Sequence, residues 1–306
     1  MKLAVLADVH ANLPALEAVT ADLEAWGPDQ VVVAGDVINR GPRSPECLTF
    51  VQDKIQHAGW QVLKGNHEDY VIAQGAPDAP RTGPLREVYH HTQWTYEHLN
   101  GDSQLLATWP DFITLYPEHP VRIAHASALG NTVGLFPMLE DAELARRVGE
   151  PAPTLFCGGH THYPFLTRLG DRRGDRLGDR RGDRLGDRHD GTLIANVGAV
   201  GLPFDGDRRG CYAQFTFQNG AWAGEIVRVA YDWDRTLADF RETGFLDQAG
   251  PMTWLVLVEF LHAKAQLYAW MRDYCEPVLA GETTVEATVR EQLEKQGLWE
   301  EVRRYL

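Results

Sequence analysis

Five short polar clusters hold residue types that bind metal ions. They are Asp8 with His10, Gly35-Asp36, Gly65-Asn66-His67-Glu68, His125, and Gly158-Gly159-His160-Thr161-His162. Imidazole, carboxylate and amide oxygen without a thiolate favour Mn, Fe, Zn, Co or Ni over a cysteine-built structural zinc. So many ligands exceed what one ion needs, but they fit two ions bridged by a shared carboxylate. Two ions about 3.5–4 Å apart can activate a water and neutralise charge on a phosphoryl group. A lone Asp-x-His or a lone buried histidine would mean little. The weight lies in five clusters occurring together in this order.

Each cluster directly follows a predicted strand. Lys2–Ala7 leads to Asp8, Gln30–Ala34 to Gly35-Asp36, and Trp60–Leu63 to Gly65-Asn66. Val121–Ala124 leads to His125, and Thr154–Cys157 to Gly158. Strands alternate with helical patterns at Leu13–Trp26 and Pro45–His57, the signature of a layered α/β fold. In such folds ligands gather beyond the carboxyl ends of the strands, so the clusters can converge on one site. Leu193–Val197, Tyr212–Phe217 and Ala223–Val229 read as further strands, the last two joined by an Asn219-Gly220 turn. Between Val71 and Trp109 the pattern is helical, and His90, His91, Trp94 and His98 are expected to pack rather than line a pocket. From Trp233 onward it is helical again, with amphipathic segments at Met252–Cys275 and Val285–Tyr305.

The ordered set Asp8-x-His10, Gly35-Asp36, Gly65-Asn66-His67-Glu68, His125 and Gly159-His160-x-His162 resembles the calcineurin-like metallophosphoesterase superfamily. Two further segments, Asp8-Val9-His10-Ala11-Asn12-Leu13-Pro14-Ala15-Leu16 and Asn196-Val197-Gly198-Ala199-Val200-Gly201-Leu202-Pro203, resemble its small bacterial phosphodiesterase branch. The resemblance spans roughly residues 1–245. It implies an α/β fold of two facing mixed β-sheets flanked by helices, a four-layer arrangement. It also implies ligand roles: Asp8, His10 and His162 for one divalent ion, Asp36 as the bridge, and Asn66, His125 and His160 for the other. Manganese is the first expectation for the pair, with Fe, Zn, Co or Ni as alternatives. His67 would protonate the leaving oxygen or stabilise its charge. Arg40, in Asn39-Arg40-Gly41, matches the protein-phosphatase and diadenosine-tetraphosphatase branches, and a planar guanidinium can hold two phosphate oxygens. No second phosphate-binding arginine can be matched. Ala11, Ala126 and Ala199 stand where Gly, Gly and Ser are commoner. The expected activity is hydrolysis of a phosphate mono- or diester by a hydroxide that two metals activate. The alternatives are a dinucleoside polyphosphate hydrolase, a protein phosphatase, or a non-catalytic metal-binding scaffold of the same fold.

Composition sets the surroundings. With 306 residues, 44% of them hydrophobic, the chain can bury a large core. The expected organisation is a metallophosphoesterase domain at 1–245 and a helical C-terminal extension at 246–306. A net charge of -14 argues against nucleic-acid partners, though bound cations would let an acidic protein accept a small phosphorylated substrate. The four cysteines lie far apart and form no CxxC pair, which suits a reducing compartment. Met1–Ala7 is too short an apolar run for a signal peptide, and Trp254–Leu261 is too short to span a membrane. A cytoplasmic protein is expected, with the C-terminal helices available for homo-oligomer contacts. Residues 168–191 repeat an octet, Arg168-Leu169-Gly170-Asp171-Arg172-Arg173-Gly174-Asp175, read as an expanded loop between two strands. Cys157 is expected to be a buried small hydrophobe rather than a nucleophile. His57, His119, His189 and His262 fit no ligand pattern.

Overall fold

The computed structural model describes residues 1–170, 184–185 and 191–306. Its strands are β1 (Lys2–Leu6), β2 (Gln30–Val33), β3 (Gln61–Val62), β4 (Phe112–Leu115), β5 (Val121–Ala124) and β6 (Leu155–Gly158). They continue with β7 (Phe165–Arg168), β8 (Arg184–Leu185), β9 (Leu193–Asn196), β10 (Gly210–Gln218) and β11 (Ala221–Val229). The helices begin with α1 (Leu13–Trp26), α2 (Ser44–Ala58), α3 (Asn66–Ala73), α4 (Pro84–Val88), α5 (His90–His98), α6 (Ser103–Leu106) and α7 (Asp141–Val148). The C-terminal set is α8 (Trp233–Glu242), α9 (Phe245–Gln248), α10 (Met252–His262), α11 (Leu267–Leu279), α12 (Val285–Lys295) and α13 (Trp299–Val302).

Successive side chains of a strand point to opposite faces, and β1 uses both. Leu3 and Val5 pack with Ile123, Leu155, Cys157 and Leu193 between two sheets, whereas Ala4 and Leu6 pack under Leu16, Val19 and Leu23 of α1 and Leu48 of α2. One sheet runs β3-β2-β1-β10-β11-β8 and the other β4-β5-β6-β9-β7. Both are mixed: β1/β2 and β5/β6 are parallel, β1/β10 and β4/β5 antiparallel. Beyond the second sheet, Leu144 and Val148 of α7 cover Phe156, Phe165 and Ile194. The result is two facing mixed sheets between helical layers, as the motifs implied. Within each sheet the parallel pair, β1 with β2 or β5 with β6, ends on one edge.

Most expected elements fall within one or two residues of those observed, including the β10–β11 hairpin closed by Asn219 and Gly220. The strand β4, the two-residue β8 and helix α7 were not expected, and β7 is the strand ahead of the repeat, which was expected without bounds. β4 alternates in burial, but its exposed Phe112 beside the buried Ile113 hides that period in the sequence. The long amphipathic segments each divide in two. Met252–Cys275 breaks between α10 and α11, where Ala263 turns left-handed at φ 49°. Val285–Tyr305 breaks after α12 at Gly297, φ 72°.

α10 is apolar over most of its circumference and is buried accordingly, with Val256 and Leu257 in one cluster and Leu255 and Val258 in another. It packs beside Trp94 of α5, while Val88, just ahead of α5, joins Trp270, Val289 and Leu293. α11 leaves Tyr268, Met271 and Leu279 exposed. The octet repeat lies outside the described residues apart from 168–170, 184–185 and 191. The strands on either side pair antiparallel, Arg168 opposite Leu193, and Leu169 N donates to Thr192 O at 3.1 Å. Among the described residues no helix is long and apolar enough to cross a membrane.

Candidate metal centre

The predicted ligands meet at one rim, and the backbone that delivers them is unusual. Asp8, His10, Asp36, Arg40, His160 and His162 all lie in the left-handed region, with φ between 46° and 66°. Residues other than glycine pay about 1–3 kcal/mol each for such conformations, which persist where the surroundings over-determine them. Here they do. His10 N and Ala11 N donate to Asp36 O and Val37 O, and Asp8 N donates to Gly35 O, so the first two loops are laced together. The third loop is tied by Glu68, fully buried, whose carboxylate accepts from the backbone N–H groups of Gly65, Asp36 and Val37, each at 2.8 Å. Two glycines allow the closeness. A Cβ on Gly65 would collide with Asp36 Oδ1, and one on Gly159 with Asp8 Oδ2.

Hydrogen bonds to backbone carbonyls decide which histidine nitrogens face the centre. His10 Nδ1 donates to Asn39 O at 3.3 Å, His125 Nδ1 to Ala34 O at 2.8 Å, and His162 Nδ1 to Leu202 O. A carbonyl only accepts, so these Nδ1 atoms carry a proton and the Nε2 atoms turn inward. His10 Nε2 and His162 Nε2 then face each other at 3.1 Å, with Asp8 Oδ1 3.2 Å from His162 Nε2. Asp8 Oδ1 is buried with no hydrogen-bond donor. Two lone pairs and an unpaired carboxylate oxygen repel unless a cation lies among them, so this donor set fits a metal. On the other side Asn66 Oδ1 is 2.9 Å from both His125 Nε2 and His160 Nδ1. Asp36 Oδ2 stands between the two groups, 3.7 Å from His10 Nε2 and 3.3 Å from His125 Nε2. Asp8, His10 and His162 form one compact triad, and Asp8, Asp36 and His125 form another. His10, Asp36 and His67 also come within reach of one ion. All seven proposed ligands are thus brought together, with Asp36 Oδ2 between the His10 and His125 sides and Asp8 common to the two triads.

Charge follows the geometry. Burial works against a charged Asp36, but the positive charge of the adjacent His125 outweighs it and holds the carboxyl well below its usual range. Burial would lower His125, yet the adjacent Asp36 carboxylate pushes it up to about 10. His10 and His67 are held well below the ordinary histidine value, chiefly by burial, and His160 is lowered to about 4 by burial and the neighbouring His125 charge. Burial and the nearby Asp36 charge raise Glu68 to about 7, against the pull of its backbone donors.

The family model described as calcineurin-like phosphoesterase matches residues 1–164, more than half of the chain. The chain belongs to this family. It is a metallophosphoesterase, a hydrolase acting on phosphate ester bonds. The crystal structure of a metallophosphoesterase from Sphaerobacter thermophilus is similar over 86% of this chain and 98% of that one, with 28% identity and a TM-score of 0.67. An uncharacterized protein of Methanocaldococcus jannaschii is 25% identical over 75% of this chain and 88% of its own length. The phosphodiesterase YfcE of Escherichia coli is 31% identical over 40% of this chain and 72% of its own.

In this phosphoesterase several residues around the ligands carried no sequence signal of their own. Asn39 supplies the carbonyl that orients His10, and its side chain orients His67: Asn39 Nδ2 meets His67 Nδ1 at 3.1 Å. The amide cannot be turned around, because Asn39 Oδ1 accepts from Arg40 N at 2.9 Å. His67 Nδ1 is therefore the acceptor and Nε2 carries the proton. Asn196 donates to Gly159 O at 2.9 Å and Thr161 Oγ1 at 2.7 Å, bracing the turn that holds His160 and His162. Phe204 stacks on His162 with ring centroids 4.3 Å apart. The Asn196–Pro203 segment was visible as a motif, but nothing in it said which turn it would brace. His91 and Trp94 are buried, the packing role expected of them, and Cys157 is buried in the inter-sheet core with its thiol pushed up by burial. All four cysteines are free.

Proposed function

We propose that this phosphoesterase hydrolyses small phosphorylated substrates, phosphate mono- or diesters, with two divalent ions at the rim, manganese first among the candidates. The observation that carries the reading is Asp36 Oδ2 standing between two separate ligand groups, His10 with Asp8 and His162 on one side and His125 with Asn66 and His160 on the other. When bound, the ions supply Lewis-acid activation of water and neutralise charge at phosphorus.

The chain's own residues do the rest. Asp8, His10 and His162 would hold one ion, and Asn66, His125 and His160 the other, with Asp36 between. His67, neutral because burial and the Arg40 charge depress it, presents the Nε2–H that Asn39 fixes. A neutral, aimed N–H stabilises negative charge on the leaving oxygen, and the same proton can follow as the bond breaks. Arg40 lies close enough for its charge to act on His10 and His67, and it contributes donors for phosphate oxygens. The acidic balance of the chain and the lack of a second matched arginine favour a small substrate over a phosphoprotein. The test is turnover of p-nitrophenyl phosphate and its bis ester by protein stripped and reloaded with Mn²⁺. His67→Ala should lower kcat about 10²–10⁴-fold. Full loading with no turnover of any ester would favour the scaffold alternative instead.

A further inference from the structure

Arg40 does not stand alone at the rim. Its Nη2 donates to Glu259 Oε2, and Glu259 is a fully buried carboxylate near the C-terminal end of α10, 219 positions away in sequence. The other oxygen, Glu259 Oε1, accepts from the backbone N–H groups of Gln266 at 2.7 Å and Leu267 at 2.9 Å. Those two residues close the turn between α10 and α11, so the carboxylate is tied to the backbone on the side away from Arg40. The Arg40 guanidinium sits 5.5 Å above the Phe204 ring, whose other partner is His162. Its Nε has no hydrogen-bond partner in the protein. The Arg40 backbone is held left-handed, φ 59°, by Asn39 Oδ1.

We propose that Glu259 is a positioning residue for Arg40, anchoring one corner of the guanidinium so that its remaining donors face the phosphoryl site; the C-terminal helices are then part of the active site. This rests on the phosphoesterase reading of the rim. A buried ion pair kept only for packing would make a different prediction, since a charge-conserving replacement would satisfy it. A fork used for phosphate needs its angle, and a misplacement of about 1 Å can cost about 10²-fold in rate. The same loop has a second tie to the C-terminal helices, Arg43 to Asp239 of α8 at 2.6 Å, which provides a control.

The experiment measures kcat and KM for bis-p-nitrophenyl phosphate with the Mn²⁺-loaded full chain. Glu259→Gln keeps an acceptor for Gln266 and Leu267 but loses the charge. Glu259→Asp keeps the charge but draws it back from Arg40, and it covers the case in which Glu259→Gln does not fold. Each should lower kcat/KM about 10–100-fold, mostly through kcat. In an Arg40→Ala background Glu259→Gln should cost nothing further, because the interaction is already gone. Asp239→Asn should stay near wild type. The proposal is overturned by unchanged kcat/KM in the Glu259 variants, by penalties that add in the double variant, or by an equal loss in Asp239→Asn. If the wild-type chain shows no turnover, the phosphoesterase reading fails separately. Inorganic phosphate binding to the Mn²⁺-loaded protein, followed by calorimetry, then decides: a Kd at least about 10-fold weaker in Glu259→Gln supports positioning, and an equal Kd overturns it.

Discussion

Asn39 shows what a single side chain can decide at this rim. Its amide accepts from Arg40 N and donates toward His67 and Thr92 Oγ1, while its carbonyl orients His10. Asn39→Ala should lower kcat at least about 10-fold, because His67 loses its preferred tautomer. It should also cost about 1–3 kcal/mol in urea unfolding, from the donors left unpaired. His125 makes a second prediction. In the metal-free protein it pairs with Asp36 and its pKa is raised to about 10, so that pairing stabilises the fold fully below pH 6.5 and is lost as the pH climbs through about 10. A metal must displace that proton. Mn²⁺ affinity should therefore rise with pH up to about 10, and binding at pH 7.5 should release protons, read by calorimetry in buffers of different ionisation enthalpy. pH-independent affinity would contradict it. The metal-type residues were legible in the sequence because ligation uses few residue types, each directly after a strand. Asn39 and Glu259 were not, because what they do depends on a partner that only folding supplies.

The strand-end turns are the elements that make the centre. Gly159 lies so close to Asp8 that a methyl group has no room, so Gly159→Ala should weaken Mn²⁺ binding and lower the Tm together, as read by elemental analysis and melting. Glu68→Ala removes the acceptor shared by Gly65, Asp36 and Val37, leaving buried N–H groups unpaired. It should cost about 3 kcal/mol or more. These turns could be read in sequence because Gly35, Gly65 and Gly159 sit beside the polar residues. β4 could not, since its exposed Phe112 beside the buried Ile113 hides the period of two. The breaks at Ala263 and Gly297 were hidden for another reason: the apolar spacing continues across them, while the geometry is set by the Glu259 clamp on Gln266 and Leu267 in one case and a left-handed glycine in the other.

At the scale of the whole molecule, two facing sheets carry the ligand loops and the C-terminal helices close over one of them through Arg40–Glu259 and Arg43–Asp239. Trp270, fully buried with its Nε1 donating to Thr288 Oγ1 at 3.1 Å, anchors those helices, and Trp270→Ala should cost about 3–5 kcal/mol. The octet repeat enters and leaves the β7–β9 ladder at facing positions, with Leu169 bonded to Thr192. Deleting residues 171–190 would leave Gly170-Gly191 as a two-residue hairpin turn, a favoured sequence for that role, so activity should survive the deletion. Everything at the rim turns on the metal centre built around Asp36. The most direct measurement is hydrolysis of bis-p-nitrophenyl phosphate by chelator-stripped protein, with and without added Mn²⁺, for wild type and Asp36→Asn. Activity that returns with Mn²⁺ in the wild type and stays absent in Asp36→Asn is the predicted result; turnover that survives stripping, or that Asp36→Asn leaves intact, would contradict the account.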